Sequence, residues 1–131
     1  MMVDEYTGIR FLNWYRTKIG MIEPTAAQFY QWFGKNIKVR YVRCDNAREN
    51  VELNEVVTGN KWKMVMDFEY TACDTPQQNH LAEIGIYTIS CKGRAMMSRA
   101  LIPKVYRFRG FFLATEMACQ LDWLTAITID I

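Results

Sequence analysis

One proline-free segment, between Pro76 and Pro103, combines length with helical periodicity, and it constrains the fold more than any other feature. From His80 to about Leu101, the residues Leu81, Ile84, Tyr87, Cys91 and Ala95 recur at helical spacing, which predicts a long helix with one apolar stripe. Gly85 and Gly93 fall inside it and should each weaken it by roughly 1 kcal/mol relative to alanine. Pro103 ends the segment, and FFLATEMACQLDWLTAI after it predicts a second, mostly buried helix.

Shorter elements fill the N-terminal half. IRFLNWYRTK, from Ile9 to Lys18, is aromatic and β-favouring and predicts a strand. TAAQFYQWFG predicts a short helix with Thr25 as N-cap, Phe29, Trp32 and Phe33 on one face, and Gly34 as its stop. In IKVRYVRCD, Ile37, Val39 and Tyr41 alternate with Lys38 and Arg40, and the alternation slips at Val42 and Arg43; a half-buried strand ending at Asp45 is expected. Leu53, Val56 and Val57 have helical spacing before Gly59 and Asn60, KWKMVMDFEYT predicts another strand, and ACDTPQQN predicts a loop. Strands and helices in this order imply an α/β fold, a sheet covered by helices, in which sites form at the carboxyl ends of strands.

Composition narrows the function classes only slightly. At 131 residues, half of them hydrophobic, the chain suits one domain with one core. A net charge of +2 is too mild to indicate a nucleic-acid partner, so basic surface must be sought locally. Cys44, Cys73, Cys91 and Cys119 form no CxxC pair and His80 is the one histidine, which argues against structural zinc and for reduced thiols. Neither a signal-peptide pattern nor an apolar run near the ~20 residues of a membrane span is present, so an intracellular protein is expected.

Two segments carry candidate chemistry. VRCDNAREN sets Asp45 at a strand end, and FEYTACDTPQQNHLAE sets Glu83 one turn into the long helix. Two such carboxylates can hold a hard divalent cation, which takes oxygen ligands. Each position also admits a structural role: an Asx-type turn at Asp45, dipole complementation in the first helical turn at Glu83, and a helix cap at Asn79. His80 reads as a helix-start residue, Glu49 as solvated, and Trp14, Trp32, Trp62 and Trp123 as core. From Ile84 to Thr115 the chain carries Lys92, Arg94, Arg99, Lys104, Arg107 and Arg109 and no acidic residue, a local surplus suited to phosphate contacts or to a solvated face.

These segments resemble the catalytic core of retroviral-type integrases, in particular those of copia-class retrotransposons. VRCDNAREN resembles the family's Arg-x-Asp-Asn-Gly-Gly-Glu segment. TACDTPQQNHLAE resembles its Thr-Pro-Gln-Gln-Asn segment with the following glutamate, and TPQQN, Thr75 to Asn79, is the most specific string. VDEYTG resembles the family's second strand, RAMMSRA the continuation of the glutamate helix and FFLATEMACQLDWL the closing helix, so the resemblance covers nearly the whole chain. Departures are Ala47 and Arg48 where glycines are common, Cys73 for proline, His80 for glycine and Ile84 for a basic residue.

The resemblance implies an RNase H-like mixed sheet flanked by helices, without its first strand, over residues 1–131. It also implies metal-dependent polynucleotidyl transfer: 3′-end processing and strand transfer in DNA integration. Asp45 and Glu83 match the second and third members of the family's Asp, Asp, Glu triad, as catalytic residues and as ligands of Mg2+ or Mn2+. The first aspartate has no counterpart, because Asp4 falls in the VDEYTG segment at a position the family does not use for metal; a fragment inactive alone is therefore expected. Lys92, Arg94 and Arg99 are the expected DNA contacts, with DNA and further copies of the chain as partners, no membrane, no small-molecule cofactor, and a nuclear site of action. The alternatives are a non-catalytic nucleic-acid-binding or assembly module and a decayed transposon remnant.

Overall fold

The computed structural model describes residues 1–72 and 80–129 and is a mixed α/β structure. It comprises two compact units, one formed by Met1–Trp14 with His80–Ile131 and the other by Tyr15–Asn79.

In the first unit, β1 (Met2–Val3) pairs antiparallel with β2 (Arg10–Phe11), Met2 opposite Phe11 and Val3 opposite Arg10. Asp4 organises the turn between them. Its carboxylate accepts the Tyr6 N–H and the Thr7 hydroxyl, and Gly8 takes the left-handed conformation (φ +71) that closes the loop. The strand expected over Ile9 to Lys18 is therefore a correction: strand pairing stops at Phe11, because β1 offers only two residues to pair with.

The expected long helix is α3 (His80–Arg99), and α4 (Arg107–Ile129) packs antiparallel along it. Their shared core is Ile89, Ala118 and Cys119, with Met1, Leu12 and Met96 against it. The stripe that α3 buries is Gly85, Ile89 and Gly93, while Leu81, Ile84 and Tyr87 are exposed. Glycine decides the face. A Cβ on Gly93 would stand 2.7 Å from Thr115 Cγ2, and one on Gly85 would stand 2.8 Å from Met1 Sδ, so the two positions bring their neighbours to the helix backbone itself. Likewise α4 is not mostly buried: Thr115, Ala118 and Cys119 face inward, whereas Leu113, Met117, Leu121 and Leu124 are exposed.

The α3–α4 turn is a Schellman motif. Ile102 N–H bonds to Met97 O (3.4 Å) and Leu101 N–H to Ser98 O (3.2 Å), with Leu101 in the left-handed region at φ +52. That position ordinarily favours glycine, since a Cβ there crowds the carbonyl. Leu101 is 85% exposed and its side chain has little packing to lose. Leu101→Gly is expected to raise stability by about 1 kcal/mol, read as a higher urea midpoint at unchanged slope; a lower midpoint would show that the leucine side chain has a packing role.

In the second unit a 3-10 turn, Ile19–Met21, runs into α1 (Ile22–Gly34), so the helix starts three residues before Thr25, which is buried inside it rather than capping it. Gly34 is its last residue, as expected, and Asn36 at φ +62 makes the left-handed turn, with Ile37 N–H bonded to Trp32 O (2.8 Å) and Asn36 N–H to Phe33 O (3.1 Å).

β3 (Tyr41–Asp45), α2 (Arg48–Thr58) and β4 (Asp67–Thr71) follow, with β3 and β4 parallel and Asp45 opposite Thr71. Arg43 and Glu69, directly opposite in this register, form an ion pair at 3.3 Å. The inward residues of β3 are Val42 and Cys44; of the expected face, Ile37 and Tyr41 are exposed, and Val39, which precedes the strand, is half-buried. Pairing with β4 begins only at Tyr41, so the earlier alternation never enters a ladder and the slip at Val42 marks the true phase. Residues 61–66 likewise precede β4, although Met64 and Met66 are buried. Ile22, Thr25, Ala26 and Phe29 of α1 and Leu53 and Val57 of α2 complete this core.

Candidate metal centre and nucleic-acid surface

Asp45 is exposed at the carboxyl end of β3, in the position expected for a site residue. Its Oδ1 accepts the Asn50 side-chain amide at 2.6 Å and the Ala47 N–H at 3.3 Å, and the same amide reaches Asp45 O at 3.2 Å. The aspartate thus makes the Asx-type turn that leads into α2, and Asn50, in the first turn of that helix, fixes the carboxylate's orientation. Oδ2 has no hydrogen bond to any described residue. Asn50 was not singled out by sequence reasoning; the available signal was an amide placed five residues after a strand-end aspartate, in the first turn of the next helix.

Next to it, Cys44 has its thiol pushed up to about 11, first by burial and then by the Asp45 carboxylate. At neutral pH it stays protonated and is a poor nucleophile and a poor metal ligand. Cys44, Cys91 and Cys119 are all free thiols.

Glu83 is exposed in the first turn of α3, and His80 opens that helix, as expected. Asp45 and Glu83 belong to different compact units. Carboxylate oxygens suit a hard cation in kind, and among the described residues no three His, Cys, Asp or Glu side chains gather into a metal-binding group. The TPQQN string, with Cys73 and the expected cap Asn79, lies outside the described residues. Glu49 corrects the expectation of a solvated side chain: only 19% of it is exposed, and its carboxylate lies 3.6 Å from the Lys18 ammonium.

The basic residues divide into two groups. Lys92 is tied to Asp122, which also pairs with Arg10 at 3.0 Å. Arg94 and Arg99, with Lys104, Arg107 and Arg109 after them, are exposed and form no ion pair with a described residue. The tryptophans correct the expectation of core residues: Trp14 and Trp123 are exposed and Trp32 and Trp62 half-buried, each with one aromatic contact region, Trp14 on Phe111 and Phe112, Trp32 on Phe29, Trp62 on Tyr30 and Trp123 on Phe11.

Against known proteins, the chain matches no family model, no curated protein and no solved structure. No helix among the described residues is long and apolar enough to cross a membrane.

Proposed function

We propose that the chain belongs to the catalytic core of a retrotransposon integrase-like polynucleotidyl transferase with an RNase H-like fold, supplying two carboxylates of the metal set and a DNA-contacting surface. The observation that carries this reading is Asp45. A motif that resembles the family's second catalytic segment stands at the carboxyl end of a parallel strand, its backbone turned by its own Oδ1 and its Oδ2 without a hydrogen bond to a described residue. Glu83, in the first turn of the next long helix, supports it by position in the chain.

In this reading Asp45 and Glu83 are ligands for Mg2+ or Mn2+, and a bound ion would supply activation of the attacking oxygen and charge stabilisation at the leaving one. The chain's own residues have definite parts. Asn50 holds Asp45 in one orientation, and Arg94 and Arg99, exposed and without an ion pair to a described residue, would neutralise DNA phosphates. With no residue of this sequence matched to the family's first aspartate, the chain by itself is expected to be inactive; in this reading the partners are nuclear DNA and further copies of the chain.

Titration calorimetry with Mn2+ on the chain, Asp45→Asn and Glu83→Gln tests the metal assignment. Heat of binding in the parent that weakens tenfold or more in either variant is expected; equal binding in all three, or none in the parent, would remove both residues from the role. A non-catalytic nucleic-acid-binding module is the second reading, favoured by the exposed Arg94, Arg99, Lys104, Arg107 and Arg109, which form no ion pair with a described residue. It would be supported by salt-dependent DNA binding that Asp45→Asn leaves intact.

A further inference from the structure

The turn between α3 and α4 carries a pattern that phosphate contacts alone do not explain. KVYRFR, Lys104 to Arg109, intersperses cations with Val105, Tyr106 and Phe108, and both rings are solvent-facing: Tyr106 is 60% exposed and Phe108 is 76% exposed. Arg99 at the end of α3 and Lys104, Arg107 and Arg109 are exposed without ion pairs to described residues, and no acidic residue occurs between Ile84 and Thr115. The turn is nevertheless well built. Ile102 is tucked beside Met97 under Gly110, and two backbone bonds close it, so the rings are presented by a defined hairpin tip.

We infer that this hairpin tip binds single-stranded polynucleotide, with Tyr106 and Phe108 stacking on bases and Arg99, Lys104, Arg107 and Arg109 following the backbone. Exposed rings between cations are what such a ligand requires, because every base offers a face to stack on and every linkage a charge to neutralise. Duplex backbone would use the cations and leave the rings in water. A membrane surface would need apolar and cationic residues on separate faces. Here successive residues of α4 point about 100° apart, so Arg107 and Arg109 flank Phe108 on both sides.

The inference rests on the nucleic-acid half of the proposed function and is independent of its carboxylates. Fluorescence anisotropy on the full chain would compare a labelled oligodeoxythymidine with a duplex of equal length at two salt concentrations, alongside flotation with phosphatidylserine vesicles. Tighter binding to the single strand is expected, weakened about tenfold by Tyr106→Ala and by Phe108→Ala, retained in Phe108→Trp, and with a flatter salt dependence in the Arg107→Gln, Arg109→Gln double variant. Phe108 also packs on Phe112, so Tyr106→Ala decides the matter if Phe108→Ala disturbs the fold. Preference for the duplex, indifference to Tyr106→Ala, or binding to vesicles without binding to the strand would overturn it. Asp45→Asn is expected to bind the strand as the parent does, so loss of metal binding and loss of strand binding are read separately.

Discussion

Gly93→Val is expected to destabilise the α3–α4 unit by about 3 kcal/mol, the upper part of the usual overpacking range, because valine is only slightly better than glycine as a helix former and offsets little of that cost. A Cβ at this position would stand 2.7 Å from Thr115 Cγ2, 3.4 Å from Thr115 N and 3.6 Å from its Cα. Thr115 cannot step aside. It is 1% exposed, and its hydroxyl donates toward the carbonyls of Phe111 and Phe112, both at 2.9 Å, which fixes the rotamer that aims Cγ2 at Gly93. Gly93→Ala separates the two effects: it gains roughly 1 kcal/mol of helix propensity and loses about 1–3 kcal/mol to overpacking. Pairing Gly93→Ala with Thr115→Ser deletes the clashing methyl, and the double variant should recover most of the loss, a coupling visible in a urea-melt cycle. Gly34→Ala is the control, since nothing lies within 4 Å of the added Cβ. If Gly93→Val melts like Gly34→Ala, the close approach of α3 to α4 is wrong.

The same glycines show where sequence reading stops. The extent of α3 and the existence of α4 were legible because they depend on local features: a proline-free interval, a proline at its end and dense apolar residues. The buried face was not, because it depends on the partner. Gly85 and Gly93 count as defects in an isolated helix, yet beside Thr115 and Met1 they are the contact surface, which turns Leu81, Ile84 and Tyr87 outward. Strand lengths failed for a related reason. Arg10–Phe11 ends where β1 ends, and β3 begins where β4 can meet it, so pairing rather than β propensity sets the bounds. Thr25 missed its N-cap role because the 3-10 turn Ile19–Met21 starts the helix one turn earlier. At the candidate site, Asp45 as a strand-end residue was legible from the β-favouring run before it and from turn chemistry, although the alternation gave the wrong face. Asn50, which holds it, was not, since a bond between a strand end and the next helix exists only once both have folded. Nothing in the residue types alone separated Lys92, tied to Asp122, from Arg94 and Arg99.

Phe29→Ala should cost about 3–5 kcal/mol in the unit that carries Asp45, the range for emptying a buried phenylalanine site. Phe29 is 3% exposed on α1, its ring centroid 5.8 Å from that of Trp32, and it shares the interior with Ile22, Ala26, Leu53 and Val57. At roughly 0.05–0.15 kcal/mol per residue, a unit of about 65 residues has some 3–10 kcal/mol in total, so this one cavity removes a third of its stability or more. The loss reaches the candidate site through α2. That helix packs on α1 through its Leu53 and Val57 side, and its first turn bears Asn50, the donor that fixes Asp45 Oδ1. Phe29→Ala is therefore expected to lower the urea midpoint, to speed hydrogen exchange in α1 and α2, and to weaken any Mn2+ binding at Asp45 without altering a ligand. Tyr30→Ala, the neighbouring position on the exposed side of the same helix, trims only a partial contact with Trp62 and should cost about 1 kcal/mol or less. Equal effects of the two substitutions would mean that α1 does not present Phe29 to the core. A destabilised Phe29→Ala that binds Mn2+ as the parent does would mean that Asp45 does not depend on α2 for its orientation.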